Sequence, residues 1–389
     1  MPFDFDYFKE KRDLSPVWRD PQNNVWNVFR YTDVAAVLSD YTTFSSDFSE
    51  VIENRERAEL AEGNMLVTDP PRHQQLRSLV SLAFSPRAIA RMEGQIEVVA
   101  EQLLDQTEGS THIELVSQFA YPLPVTVIAR MLGVPASDRR RFKRWADGLL
   151  DRSLEPGDDQ ARGDAAAMSI RQFHDYLRNK VACRRLRQRH DLLSDLIDAR
   201  INDQGLSDAE IVGFATILLI AGHITTSLLL GNAVLCLDEH PEVQAAIRTD
   251  FSAVPAALEE TLRYCSPVRV TRRLTTRDVE LGGVTIPSKQ MVNAWLISAN
   301  HDESQFDRPD EFVFDRTPNP HMGFGRGIHF CLGAPLARLE SSVALWSLLR
   351  RYAWLRVDAA RPPEMYPGLF FTGVRSLHLQ VTSATAHAA

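Results

Sequence analysis

Apolar residues recur at helical spacing through the middle of the chain and in short alternating runs towards its two ends. The helical spacing predicts helices over 33–38, 70–83, 87–108, 121–132, 138–153, 160–190, 191–201, 207–238, 241–248, 253–264 and 336–349. Near the start, Pro16-Val17-Trp18 and Val25-Trp26-Asn27-Val28-Phe29 read as strands, joined by a turn at Pro21-Gln22-Asn23-Asn24. After Pro267 the runs Val279-Glu280-Leu281 and Val284-Thr285-Ile286-Pro287 predict a small sheet. Strands at the ends and helices between them predict a mainly α fold with small β-sheets, an α+β arrangement. No repeat, low-complexity tract or linker interrupts the pattern, so residues 1–389 read as one domain.

One helical stretch stands apart. Ile211 to Leu237 contains no Asp, Glu, Lys or Arg, which is long enough to cross a bilayer. Polar residues interrupt it at His223, Thr225, Thr226, Ser227 and Asn232, and acids flank it at Asp208, Glu210, Asp238 and Glu239. Neither a basic flank nor an aromatic belt is present, so the stretch predicts a long helix buried in a large core.

Composition narrows the class. The 389 residues are 44% hydrophobic and 24% charged, an ordinary soluble balance. The net charge of −8 and the lack of a long basic tract argue against nucleic acid. Cys183, Cys236, Cys265 and Cys331 show no paired spacing, which predicts a reduced, cytoplasmic setting. Met1 to Asp6 carry no basic region followed by an apolar run, so no signal peptide or anchor is expected.

The rhythm breaks near the C-terminal end, at Phe324-Gly325-Arg326-Gly327-Ile328-His329-Phe330-Cys331-Leu332-Gly333. Gly325, Gly327 and Gly333 permit positive φ and close backbone approach. Pro335 suits the first turn of the helix that follows. Cys331 thus falls where free amides and the positive end of a helix dipole favour a thiolate. A lone cysteine is ordinarily a small buried hydrophobe, but a thiolate on a glycine loop suits a soft or borderline metal. The stretch resembles the haem-binding loop of the cytochrome P-450 family, Phe-Gly-x-Gly-x-His-x-Cys-x-Gly, at every defining position. That resemblance implies haem b (iron protoporphyrin IX) with Cys331 as its axial thiolate, a ligand whose electron push favours O–O cleavage. Phe324, Gly325, Arg326, His329 and Gly333 would complete the loop, with His329 and Arg326 near the haem propionates.

Inside the uncharged helix, Ala221-Gly222-His223-Ile224-Thr225-Thr226 resembles the family's oxygen-activating segment, Ala/Gly-Gly-x-Asp/Glu-Thr-Thr. Ala221 and Thr225 share a face, Gly222 would let a flat ligand or dioxygen approach, and the Thr225 hydroxyl can hydrogen-bond water or oxygen. Ile224 stands where the family usually has an acid that relays protons, so the route would run through Thr225, ordered water or His223. The same string resembles macrolide-tailoring hydroxylases of the erythromycin type.

Glu260 and Arg263 resemble the family's Glu-x-x-Arg pair, with Arg316 as the third, structural member. His73 and Arg77 resemble its His-x-x-x-Arg propionate pair, and Arg273 the arginine on the following strand. A distal pocket would be lined by Met65, Leu66, Phe214, Ile217, Leu218, Ala221, Val268, Val270 and Phe371, although core packing explains such residues equally well. Glu50, Glu53, Glu56, Glu59 and Glu62 form an acidic row, either a solvated face or a dock for a cationic amino sugar.

Taken together, the resemblance implies a cytoplasmic, monomeric haem-thiolate monooxygenase that inserts one atom of O2 into a C–H bond of a hydrophobic small molecule, a macrolide or polyketide above all. It implies electrons from a separate ferredoxin and NAD(P)H ferredoxin reductase, since no reductase-like segment is seen, and neither nucleic acid nor membrane as partner. The same scaffold supports epoxidation, oxidative coupling or peroxide-driven oxidation, and a non-catalytic haem-binding protein is the distant alternative.

Overall fold

Helices occupy the middle of the chain, and strands from its two ends meet in one sheet. The computed structural model describes residues 5–49, 63–154, 160–201 and 203–384. The acidic row at 50–62 lies outside the described residues. The principal sheet runs in the order Val17–Asp20, Val25–Val28, Met291–Trp295, Val270–Thr275 and Phe44–Ser45. Val25–Val28 lies parallel to Met291–Trp295 with Trp26 opposite Val292, so the N-terminal hairpin is held by a strand far along the chain. A second sheet joins His112–Glu114, His378–Ser383 and Tyr352–Val357. Val279–Leu281 and Val284–Ile286 pair through Gly282 and Gly283, both at positive φ, as a two-residue hairpin turn requires.

The uncharged stretch is the helix Asp208–Glu239, 32 residues and about 48 Å long. A capping box starts it: Ser207 accepts from the Glu210 amide and Glu210 accepts from the Ser207 amide. Among the described residues it is the one helix long and apolar enough to cross a membrane, yet 67% of its most apolar window is buried inside the protein. Its apolar residues at both ends, Ile211 to Leu219 and Leu229 to Leu237, join the main hydrophobic cluster with the helices Glu93–Asp105, Pro122–Met131, Val254–Tyr264 and Ala334–Arg351.

Three elements depart from the periodicity. Phe5–Leu14 is a helix, unforeseen because an unbroken charged run from Lys9 to Asp13 leaves no apolar periodicity there; Phe8 and Arg12, four apart, turn the same face inward. The stretch 87–108 divides into Pro86–Ala90 and Glu93–Asp105 around a turn at Arg91 and Met92. Val116–Ala120 adopts a π-helical turn, a wide backbone ring that side-chain spacing does not announce.

Candidate active site

The glycine loop folds as a short turn that delivers Cys331 to the start of Ala334–Arg351, with Pro335 in that helix's first turn. Gly325 and Gly327 take φ of +72° and +71°. A Cβ on Gly327 would come within 2.5 Å of the Leu38 carbonyl, so glycine is required there. Gly333 has φ −80°, so its expected positive φ is absent. The Cys331 amide donates to the Phe324 carbonyl at 2.9 Å, closing the loop. Burial pushes the Cys331 thiol above its ordinary value, while the Gly333 and Ala334 amides and the Arg77 and Arg338 charges pull it down. Helix-end amides alone had suggested a thiolate; desolvation is the opposing effect, and a bound metal cation would reverse the balance.

Basic side chains gather around this loop. The rings of His73 and His329 lie 4.3 Å apart, centre to centre. Arg77 donates to the Phe330 carbonyl at 2.7 Å, and His329 Nε2 sits 3.0 Å from Ser46 Oγ. Burial, with Arg273, His73 and Arg77 nearby, drives the His329 pKa down to about 3. Arg273 is buried and lowered to about 10 by desolvation, against the field of Asp69; its hydrogen bonds go to Thr271 Oγ1 and the Arg272 carbonyl, and it makes no ion pair among the described residues. His73 is buried with Nδ1 unpartnered. Buried cations and donors left without an anion are costly unless a ligand completes them. A planar dicarboxylate such as haem b, with a thiolate-seeking metal at its centre, fits this donor set. Arg326 is exposed and makes no hydrogen bond among the described residues.

The long helix is buried almost throughout, but Ile217, Leu218, Ala221, Gly222 and Thr225 are partly or fully accessible. Their spacing of three and four residues places them on one stripe, with Ile220, also partly accessible, to its side. Thr225 Oγ1 donates to the Ala221 carbonyl at 2.6 Å. Two neighbours behave differently from expectation. The missing side chain of Gly222 makes room for Ile128, whose Cδ1 would lie 2.8 Å from a Cβ there, so this glycine serves helix packing. His223 lies roughly 200° round the helix from Thr225. It is fully buried, with Nδ1 against the Leu219 carbonyl, Nε2 unpartnered and its ring edge-on to Tyr121. Desolvation lowers its pKa to about 4, so it is neutral, and its orientation removes it from a proton route along the stripe.

Beneath the loop, Glu260 and Arg263 are fully buried and doubly bonded, at 2.9 and 2.8 Å. Arg316 Nε reaches both Glu260 oxygens at 3.1 and 3.2 Å, and Asn319 and the Val313 amide complete the carboxylate. Arg263 also donates to the Asn300, Pro309 and Glu311 carbonyls. The structure thus brings the three residues together as one brace under the segment 309–319.

The pocket candidates divide. Leu66 is 55% exposed, and Val268 and Phe371 pair across an isolated bridge at partial exposure. Met65 is buried in the turn Met65–Val67. Three of them are buried in hydrophobic clusters: Met65, Phe214, which packs edge-on to Phe84 and continues the stripe of Ile217 and Leu218, and Val270, which packs with Phe8, Phe29 and Trp295. Apolarity cannot separate a pocket wall from a core wall, so sequence alone does not say which of them line a pocket. Sequence reasoning also passed over Glu259, His321 and Arg338, which form a second cluster against the cysteine loop; the tandem Glu259-Glu260 was its one signal.

Comparison with known proteins agrees with this geometry. Erythromycin C-12 hydroxylase of Saccharopolyspora erythraea is 42% identical over 91% of this chain and 88% of its own. Cyclomarin C epoxidase of Salinispora arenicola is 39% identical over 96% and 94%. Among solved structures, the open form of EryK from S. erythraea superposes with a TM-score of 0.92 at 40% identity over 99% and 97% of the two chains. HmtT, involved in himastatin biosynthesis, gives 0.89 at 46% identity over 96% of each. The Cytochrome P-450 family matches residues 1–380. This chain belongs to the cytochrome P-450 family and is a haem b monooxygenase.

Proposed function

We propose that Cys331 is the axial thiolate, that Arg77, Arg273, His73 and His329 hold the haem propionates, and that the chain oxidises a macrolide or related hydrophobic secondary metabolite. The observation that carries the ligation is the Cys331 sulfur at the amide end of Ala334–Arg351, beside a buried His73 whose Nδ1 has no partner and a buried Arg273 that makes no ion pair among the described residues. Haem, when bound, supplies the O2 chemistry that inserts one oxygen atom; the protein's part is ligation, orientation and a dry space. Ile217, Leu218 and Ala221 exclude water along the stripe, and Thr225 holds a proton at Oγ1 that it now donates to the Ala221 carbonyl. Glu260, Arg263 and Arg316 hold the segment before the cysteine loop and touch no reacting atom.

Bacterial members of the family generally take electrons from a ferredoxin and its reductase. Here we assign a separate ferredoxin and NAD(P)H ferredoxin reductase, with the chain acting as a single cytoplasmic domain and a monomer. Macrolide hydroxylation rests on likeness to a relative that hydroxylates erythromycin at C-12. A second reading, epoxidation, is favoured by likeness to the cyclomarin C epoxidase. Incubation with surrogate ferredoxin, reductase and NADPH against a panel of macrolides and cyclic peptides tests both. A product heavier by one oxygen and carrying a new alcohol supports hydroxylation, and an oxirane supports epoxidation. No oxygenated product from any member of the panel overturns the substrate class.

A further inference from the structure

Glu259 and Glu260 are adjacent on Val254–Tyr264, about 100° apart, and reach different parts of the molecule. Glu260 points into the buried brace described above. Glu259 points towards the cysteine loop. Its carboxylate receives both arms of Arg338, Nε at 2.6 Å and Nη2 at 2.9 Å, and sits 3.0 Å from His321 Nε2. The Gly323 amide donates to His321 Nδ1 at 3.0 Å, so His321 is the tautomer that donates from Nε2 to Glu259. Arg338 lies with its guanidinium carbon 4.6 Å over the centre of the Phe324 ring. Phe324 in turn accepts the Cys331 amide through its carbonyl.

We propose that Glu259 is a positioning residue for the haem thiolate: it fixes Arg338 on Phe324 and offsets the arginine's charge beside Cys331. This rests on the assignment of Cys331 as axial ligand. The Arg338 charge lies within electrostatic reach of Cys331. The Glu259 carboxyl is pulled down to about 2 by Arg338 and His321 against the cost of its burial, so it is ionised at neutral pH. Arg338 is 41% exposed along its side chain and is held by two charge-assisted bonds rather than by packing. Outer groups of this kind tune a metal site through the charge and hydrogen bonding that its ligand experiences.

The test is a spectroelectrochemical titration of the haem-loaded protein, read as the midpoint potential of the iron, beside the ferrous carbon monoxide spectrum. Glu259→Gln leaves the Arg338 cation uncompensated and is expected to move the potential positive. Arg338→Gln removes that cation and is expected to move it negative. The double variant removes no net charge from the pair and is expected near wild type. Arg338→Lys keeps the charge while losing the two-armed grip; a potential close to wild type supports the proposal even if Glu259→Gln fails to hold haem. A brace acting only through shape would move both single variants the same way or neither, and either result overturns the proposal, as does a shift in Arg338→Lys as large as in Arg338→Gln. A wild-type protein without the red-shifted thiolate band would instead overturn the assignment of Cys331 itself.

Discussion

The Glu260 brace and the basic cluster beside Cys331 are both buried and charged, yet in one the charges are paired with each other and in the other they are not. In the brace every strong donor meets an acceptor: the Glu260 carboxylate takes bonds from Arg263, Arg316, Asn319 and the Val313 amide. Beside Cys331, His73 Nδ1 has no partner, and Arg273 makes no ion pair among the described residues, Asp69 acting on it only through its field. Folding alone cannot make the second arrangement favourable. The difference shows which charges exist to hold the protein and which exist to hold a ligand.

Breaking the complete region has the largest expected effect. Glu260→Ala leaves two buried guanidiniums without an anion and should cost about 3–5 kcal/mol of stability, measured by urea denaturation of the haem-free protein. A haem-free protein as stable as wild type would show that the brace is replaceable.

The incomplete region should respond in the opposite sense. Arg273→Leu removes an unpaired buried cation, so the haem-free protein should keep or gain stability. Haem affinity should fall by about 10- to 100-fold, the loss of one charge-assisted bond, followed by Soret absorbance during haem titration. Equal losses in both measurements would erase the distinction between the two regions.

The smallest effect sharpens the comparison at a histidine outside both regions. His223 is buried neutral, its pKa lowered from 6.5 to about 4. Between those values the unfolded chain binds more protons than the folded one, so stability contributed by neutral burial is full above pH 6.5 and is lost as pH falls towards 4. His223→Phe should flatten the slope of stability against pH in that window. An unchanged slope would assign the acid sensitivity elsewhere.

How much of this was readable in the residues depended on the kind of signal. The cysteine loop and the Glu260–Arg263 pair are short strings whose spacing fixes geometry, and the structure places them where that spacing predicts. The long helix was legible as a buried element because no charge interrupts it over 27 residues from Ile211 to Leu237. The side of that helix was harder to read. Gly222 fits Ile128 and His223 faces Tyr121, contacts made by the helix Pro122–Met131 and its approach, distant in sequence. The packing of Phe214 and Val270 was hidden for the same reason, since an apolar residue does not encode whether its neighbour is protein or substrate. The first helix was hidden because a charged run from Lys9 to Asp13 leaves no apolar periodicity, and its burial depends on the strand ending at Trp295.

The central claim, that Cys331 ligates haem as a thiolate, is tested most directly by the carbon monoxide difference spectrum of the dithionite-reduced protein, taken for wild type and Cys331→Ser. The account predicts a strongly red-shifted Soret band in wild type and its loss in the variant. Haem bound in wild type without that band, or the band retained in Cys331→Ser, would contradict it.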